Sequence, residues 1–440
     1  MARLGVADAV ARATGFGHAV VSFVDPSGYP VSVAGEFVAD AASGVIEIGP
    51  LSAEVLPLTG QEVGVTFSHI RPRPGVGYDE RRYVNVWGEA AVAGDRLTVT
   101  VTRATGWDEE ETPFFEYAER SLARGHGYLR DVDARPRLSR WWTFFLATRL
   151  PFLTATVVPV ALGGAVAARN HAFGWSWFLL ALLGACAVHL GLNIANDLSD
   201  DASGADAANV TPTPFSGGSR VIQYGLVSRR AMQRACVGLY AAAIAIGVYL
   251  AAAHGWWLLA IGAVGLFLSL EYTGPPLRLV RRGLGEPVTA TGFGPVMVTG
   301  TYYACAGGWS WEALYASLPV ALLIALVLYV NQVPDRLADA AVGKRTLIVR
   351  WPKPWVVGGY LAIAASAFAL VVLGAALGIT PGWTLISLVT LPLAVKVWRG
   401  LAAHYESPYE LMPVMQTNIG LHLFTGLLLL AGYLVDLAVR

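Results

Sequence analysis

Two acidic stretches hold the residues best suited to chemistry. The first, "GLNIANDLSDDASGAD", runs from Gly191 to Asp206 and closes a long apolar run, Phe173 to Leu192. Asn193, Asn196, Asp197, Asp200 and Asp201 recur there at three- and four-residue spacing, which puts most of them on one helical face. Four aspartates follow the asparagines with no basic residue among them. Each aspartate costs about 2.5–3.5 kcal/mol inside a bilayer on an insertion scale, so the cluster belongs at a helix mouth, where mutual repulsion persists. A divalent cation relieves that repulsion, and oxygen donors without His or Cys select Mg2+ over zinc. The other reading is a solvated acidic helix end.

The second stretch, "NQVPDRLADAAVGKRTLIVR" (331–350), opens on Asn331 and sets Asp335 and Asp339 four residues apart. Glycine and positive charge trail both stretches: Arg220 in "PFSGGSRV", Lys344 and Arg345 in "GKRT". A third loop, "EYTGPPLRLVRRGLGE" (271–286), adds Tyr272, Arg278, Arg281 and Arg282. Mg2+ is usually bound through one or two carboxylates plus substrate phosphates. Carboxylates, glycine-rich backbone and basic side chains together therefore describe a metal–diphosphate site. A diphosphate suited to a membrane cavity is a polyprenyl diphosphate, with a lipid-soluble tail and a head that needs metal. Cleavage of its carbon–oxygen bond yields an allylic cation, which a water-poor cavity protects. Tyr302 and Tyr303 could stabilise that cation through their ring faces, or serve as packing and interface anchors.

Hydropathy supplies the elements that must position these loops. The 440-residue chain is 55% hydrophobic and 14% charged, with mean hydropathy +0.52, well below the charge fraction of soluble domains. Zero formal net charge argues against nucleic acid as a partner. Cys186, Cys236 and Cys305 each stand alone in apolar runs and read as small hydrophobes. A bilayer core needs about 20 apolar residues per helix. Nine spans are expected, at about 141–167, 174–196, 231–253, 256–272, 287–306, 312–332, 355–378, 382–398 and 418–438. The N-terminus lacks a basic-then-apolar signal pattern, so the first domain is expected in the cytoplasm. Loops after even-numbered helices then carry most of the cationic residues, as positive-inside topology requires. Both acidic stretches fall on that same face.

Residues 1–137 read differently. "HAVVSFVDPSGYPVSV" is strand, turn, strand, and alternating segments continue through "RLTVTVTRA". A helix is expected at 112–126, with Thr112-Pro113 at its start. The fold class is thus an all-α polytopic membrane bundle of nine transmembrane helices, preceded by a small β-rich soluble domain. The expected boundaries are 1–130 for the β-rich domain, 131–140 for a linker and 141–440 for the bundle.

Residues from about 140 to 440 resemble the UbiA family of intramembrane aromatic prenyltransferases. The likeness is greatest to the menaquinone-pathway dihydroxynaphthoate polyprenyltransferases. It is carried by "NIANDLSDDASGAD", "TPFSGGSRVIQYGLVS", "YTGPPLRLVRRGLGEPVTATGFGPVMVTGTYY" and "NQVPDRLADAAVGKRTLIVR". The resemblance implies Asn196, Asp197 and Asp200 as a first metal motif, and Asp335 and Asp339 as a second. Where many members carry a further Asp this chain has Gly204, so Asp206 or Asp201 takes that place. Asn193, Arg220, Tyr272, Asn331, Lys344 and Arg345 are the implied substrate contacts. Arg278 stands where the family usually has Lys, which keeps the charge but not the point geometry. Arg149 matches a family Arg that faces the cavity; the other reading is a snorkelling side chain.

The N-terminal domain resembles the pyridoxamine-phosphate-oxidase-like split barrels, which raises flavin as a ligand, although no phosphate-cradling motif stands out. Arg71, Arg73, Arg81 and Arg82 are either an anion site or a solvated loop. His69 and His126 are isolated. The implied activity is Mg2+-dependent polyprenyl transfer to dihydroxynaphthoate, with decarboxylation, by a multi-pass protein of the cytoplasmic (inner) membrane. Other acceptors in view are a hydroxybenzoate-type quinone precursor, a haem, a chlorin or a lipid phosphate. Rivals of another class are an ion-coupled transporter, which would place its charges near the bilayer midplane, and a membrane-anchored flavin oxidoreductase.

Overall fold

The computed structural model describes residues 2–51, 56–73, 77–112, 114, 117, 121, 139–209 and 213–440, without the side chains of 2, 73, 77–79, 140 and 207. The chain divides into two compact units, Met1–Arg124 and Gly125–Arg440. The expected linker falls almost wholly outside the described residues, as do His126 and most of the helix expected at 112–126.

The first unit is an antiparallel sheet of eight strands, β1 (Ala2–Leu4), β2 (Ala19–Val24), β3 (Pro30–Gly35), β4 (Phe37–Asp40), β5 (Val45–Ile48), β6 (Glu62–Arg73), β7 (Gly77–Ala93) and β8 (Arg96–Asp108). Its path is β3-β2-β6-β7-β8-β5-β4, and β1 pairs with β8. β3 and β4 stand at opposite ends of the path yet only Glu36 separates them. Two residues span at most about 7 Å, so the sheet curls round until its edges meet at that corner. Alternating Val21, Phe23, Val65, Phe67, Val84 and Val86 fill the interior. The expected Asp25–Gly28 turn is present: Asp25 Oδ1 accepts from the Ser27 and Tyr29 amides, and Gly28 has φ +87°. A helix not foreseen, α1 (Val6–Ala13), seals the core with Ala9, Val10 and Ala13.

In the second unit, α2 (Arg140–Thr148) and α3 (Thr154–Arg169) replace the continuous first helix expected at 141–167. Pro151 cannot donate an N–H or tolerate the preceding helical turn. Arg149 instead adopts φ 51°, and a 3₁₀ turn at Leu150–Leu153 follows. α4 (Trp175–Ser203) runs past its expected end and stops at Gly204, with φ +77°, so Asp197 and Asp200 lie in its last two turns. After the short α5 (Ala205–Ala208) come α6 (Arg229–His254) and α7 (Trp257–Thr273). α8 (Gly285–Thr291) and α9 (Met297–Ala306) are joined through a π turn at Gly292–Val296. There Gly294 presses so close that an added Cβ would lie 2.3 Å from Ala321 Cβ. The remaining helices are α10 (Trp311–Asn331), α11 (Arg336–Ala341), α12 (Leu347–Arg350), α13 (Lys353–Ala376), α14 (Leu391–His404) and α15 (Met412–Val439), α14 extending a 3₁₀ segment at Gly382–Thr390.

Seven helical segments among the described residues are long and apolar enough to cross a bilayer: 150–169, 175–203, 229–254, 311–331, 353–376, 382–404 and 412–439. The expected spans at 256–272 and 287–306 do not reach that length as unbroken helices, because one is short and the other is divided by its π turn. Exposed Val237, Val248, Phe267, Leu373, Val389 and Phe424 give the bundle an apolar outer face suited to lipid. The chain is a multi-pass membrane protein.

Candidate functional site

The site is assembled where α4, α10 and α11 end. Ser219 N–H, in the glycine-rich loop after α5, points at both Asp197 carboxylate oxygens, at 3.4 and 3.3 Å. Gly217 N–H, two residues earlier, donates to Asp335 Oδ2 at 3.0 Å, and Asn209 Nδ2 donates to its Oδ1 at 2.8 Å. One short loop therefore grips a carboxylate from each acidic stretch. A phosphate cradle was expected of this backbone, but its amides at 217 and 219 are directed at aspartates instead. Arg220 braces the loop from within, donating to the Asn209 and Gly217 carbonyls.

Lys344 makes the second link. Its backbone N–H donates to Asp339 O at 2.8 Å, and its ammonium lies 3.4 Å from both the Asp200 and the Asp339 carboxylates. Arg149, released from helical geometry where the helix is interrupted, pairs with Asp197. Asp197, Asp200, Asp206, Asp339 and Lys344 are all buried.

Burial and repulsion from Asp200 and Asp197 push Asp206 up to about 7. Burial, then Asp335 and Asp200, push Asp339 to about 7 against the pull of Lys344. Burial also raises Asp335. It opposes the charge on Lys344, yet attraction from Asp200 and Asp339 outweighs it and the ammonium is raised.

These groups surround a cavity of about 190 Å3. Arg149, Asn193, Asn196, Asp200, Asp206, Tyr272, Asn331, Asp335, Asp339 and Lys344, all expected at the site, line it. Asp197 stands behind Arg149. Asp201 turns away to Arg229 and Gln223, whereas Asp206 faces the cavity, so the geometry favours Asp206 of the two candidates. Arg278 and Arg345 are exposed and absent from the lining. Tyr302 and Tyr303 are not in the cavity's lining: Tyr302 accepts from Asn170 and Tyr303 packs on Trp309. They sit nearly three turns beyond Phe293, which does line the cavity. Residues not singled out from sequence include Asn209, Gln332, Phe293 and His189. His189 was legible in principle, since it precedes Asn193 by four residues on the same face.

A second cavity of about 380 Å3, almost wholly apolar, opens beside the first between α4, α6, α7 and the α8–α9 segment. Ile244, Val248, Leu259 and Met297 line it, with Gly184 and Gly300 giving width.

The donor set fits a hard divalent cation. Four carboxylates and two cations line the cavity, with Asp197 behind Arg149, and among the described residues the Asn331 Oδ1 and both Gln332 amide atoms are buried without partners. No three Asp, Glu, His or Cys side chains among the described residues converge to cage a metal alone. Phosphate oxygens would have to complete the coordination.

A model of the UbiA prenyltransferase family matches residues 156–420. The 2-carboxy-1,4-naphthoquinone phytyltransferase of Synechocystis sp. is 28% identical over 302 residues, which cover 68% of this chain and 94% of that protein. The 1,4-dihydroxy-2-naphthoate octaprenyltransferase of Mycobacterium tuberculosis is 33% identical over 285 residues, 64% of this chain and 93% of the relative. Among solved structures, a UbiA homolog from Archaeoglobus fulgidus bound to DMAPP and Mg2+ is matched over 66% of this chain and 99% of its own, at 15% identity and TM-score 0.45.

Proposed function

This chain belongs to the UbiA prenyltransferase family, and on that premise we propose that it transfers a polyprenyl group from its diphosphate to dihydroxynaphthoate, in menaquinone biosynthesis. The observation that carries the reading is the joining of the two acidic stretches: one loop binds Asp197 and Asp335, and one lysine lies between Asp200 and Asp339. Naphthoate and naphthoquinone prenyl transfer by the relatives supports the choice of acceptor.

Asn196, Asp197, Asp200, Asp206, Asp335 and Asp339 would hold Mg2+, which supplies charge neutralisation to a departing diphosphate. Lys344 adds a fixed positive charge beside the same oxygens, and Arg149 orients Asp197 through their ion pair. Asn193, Tyr272 and Asn331 line the same chamber and would contact the diphosphate or the acceptor. The adjoining apolar cavity takes the prenyl tail and keeps water from the allylic cation. Phe293, lining both cavities, presents a ring where that cation forms.

A nine-crossing topology with the N-terminal domain in the cytoplasm, which we propose in addition, would put the site at the cytoplasmic face of the inner membrane. Arg229, Arg230, Arg281, Arg282, Lys344 and Arg345 on the loops of that face support this orientation.

The test is purified protein incubated with labelled geranylgeranyl diphosphate, Mg2+ and a panel of aromatic acceptors, the products being read by mass spectrometry. Prenylated, decarboxylated naphthol is expected. Transfer to hydroxybenzoate, haem, chlorin or lipid phosphate alone would overturn the acceptor. Diphosphate release that ignores chelation would overturn the metal.

A further inference from the structure

The polar and apolar cavities share five lining residues: His189, Leu192, Tyr272, Thr289 and Phe293. A substrate with a diphosphate head in one chamber and a hydrocarbon tail in the other must place its first carbon at that seam. An acceptor must meet it there. His189 carries the one imidazole at the seam, and it is held in place. Its Nδ1 shares a 2.7 Å hydrogen bond with Thr156 Oγ1, and its ring stands at 78° to Phe293 with centroids 4.7 Å apart. The side chain is 5% exposed. Among the described residues Nε2 has no hydrogen-bond partner. A buried, oriented imidazole with one nitrogen committed and the other available beside the reacting carbon is the arrangement a general base needs.

We propose that His189 is a catalytic residue: its Nε2 receives the proton of the hydroxyl group on an ortho-hydroxy aromatic acid acceptor. This rests on the aromatic prenyl transfer proposed above. With Nδ1–H donating to Thr156, Nε2 is the lone-pair nitrogen. The acceptor O–H bond breaks and its proton passes to Nε2. The oxygen's electrons flow through the ring to the carboxyl-bearing carbon, which bonds to the prenyl C1. The C1–O pair leaves with diphosphate. The product at that stage is a β-keto carboxylate. Loss of CO2 returns its electron pair to the ring as an enolate, whose oxygen takes the proton back from Nε2. The imidazole is regenerated and no oxidant or reductant is consumed.

The test uses full-length protein in nanodiscs, the hydroxy-acid acceptor that wild type turns over best, and the methyl ether of that acceptor, which has no proton to give. Three quantities are read: kcat and KM for each acceptor, direct binding of each acceptor by calorimetry, and Mg2+-dependent diphosphate release without acceptor. His189→Phe should lower kcat for the hydroxy acid on the order of 100-fold. It should leave the slow methyl-ether rate and acceptor-free release within about threefold, a tolerance chosen well inside that loss. His189→Gln, whose amide oxygen accepts a hydrogen bond but takes no proton, should keep KM and binding of the hydroxy acid while still losing kcat. It also serves should the Phe variant fold poorly. Equal losses on both acceptors, or none on either, would overturn the proposal. If wild type releases no diphosphate at all, prenyl transfer itself fails. The binding arm still decides His189 in that case, because only the hydroxy acid should lose affinity in His189→Phe.

Discussion

Among the described residues of the bundle, two groups of paired charges, one buried and one half-buried, are built on opposite principles. α3 and α10 bear one group at each end, and α10 with its 21 residues separates them by about 30 Å. At the far end Arg169 donates from Nη1 to Glu312 at 2.7 Å and from Nε to Asp436 at 2.9 Å, and Arg440 reaches Asp436 at 2.8 Å. Two cations meet two carboxylates, and three helices are pinned. At the near end Arg149 and Lys344 line a chamber with four aspartates, and a fifth, Asp197, stands behind Arg149. The first group is satisfied by the chain itself, so it fastens helices. The second leaves excess negative charge and unpaired amide groups on Asn331 and Gln332, and such a group is completed only by a ligand. Charge balance, more than burial, separates a staple from a site.

The largest test of that contrast pairs Asp335→Ala with Arg169→Met. Asp335→Ala should cut prenyl transfer on the order of 10³-fold, the scale of losing one preorganised electrostatic contact, while thermal unfolding in detergent stays put or rises. Arg169→Met should do the reverse. It strands Glu312 and Asp436 without their main cation and costs about 3–5 kcal/mol of stability, with turnover per folded molecule retained. Adding Glu312→Gln and Asp436→Asn should recover most of that loss. If Arg169→Met abolishes turnover in a protein of normal stability, the far group is not a staple.

Much of the near group was legible because helical spacing and charge sign are local properties. Asn193, Asn196, Asp197 and Asp200 share a face by arithmetic, and Asp335 and Asp339 repeat that spacing after another apolar run. The extents of 231–253, 312–332 and 355–378 were equally local, and the helices found there differ by a residue or two. What escaped depends on tertiary register. Tyr302 and Tyr303 were sound aromatic candidates by type, but it is Phe293, in the π turn at Gly292–Val296, whose side chain lines the cavity. Pro151 was visible, yet only the fold shows that the break it causes sends Arg149 to Asp197. Arg278 and Arg345 had the right charge on the right loops, yet both are exposed and absent from the lining.

The glycine loop offers a finer probe. Gly218 has φ +78°, and an added Cβ would lie 2.8 Å from Asp206 Oδ1. Gly225, at φ +69°, has nothing within 4 Å of the same position. Both alanine variants carry the same left-handed backbone cost of about 1–2 kcal/mol. Only Gly218→Ala must also displace a cavity carboxylate. Its kcat/KM should fall about tenfold below that of Gly225→Ala, the worth of roughly 1.4 kcal/mol. Equal activities would show that Asp206 can move without consequence.

The last probe is pH. Without ligand, burial and neighbouring aspartates hold Asp206 and Asp339 at about 7, so each is largely neutral at pH 6 and largely ionised at pH 8. A cation drawn to this chamber needs the ionised forms, so binding must expel protons below pH 7 and need not above it. Mg2+ with inorganic diphosphate should therefore bind about a hundredfold more weakly at pH 6 than at pH 8, about tenfold for each of the two carboxylates. Calorimetry at pH 6 in buffers of different ionisation enthalpy should show net proton release, shrinking toward pH 8. The free diphosphate ligand also titrates, and its contribution is subtracted with Asp206→Asn, which should lose part of the protein's release. The far group offers the matching control. Glu312 and Asp436 already hold Arg169 by direct ion pairs, so Glu312→Gln should leave the pH dependence of diphosphate binding as it was. A shift caused by Glu312→Gln would mean that the two ends of α10 are electrostatically coupled across the bundle, and the division between staple and site would have to be redrawn.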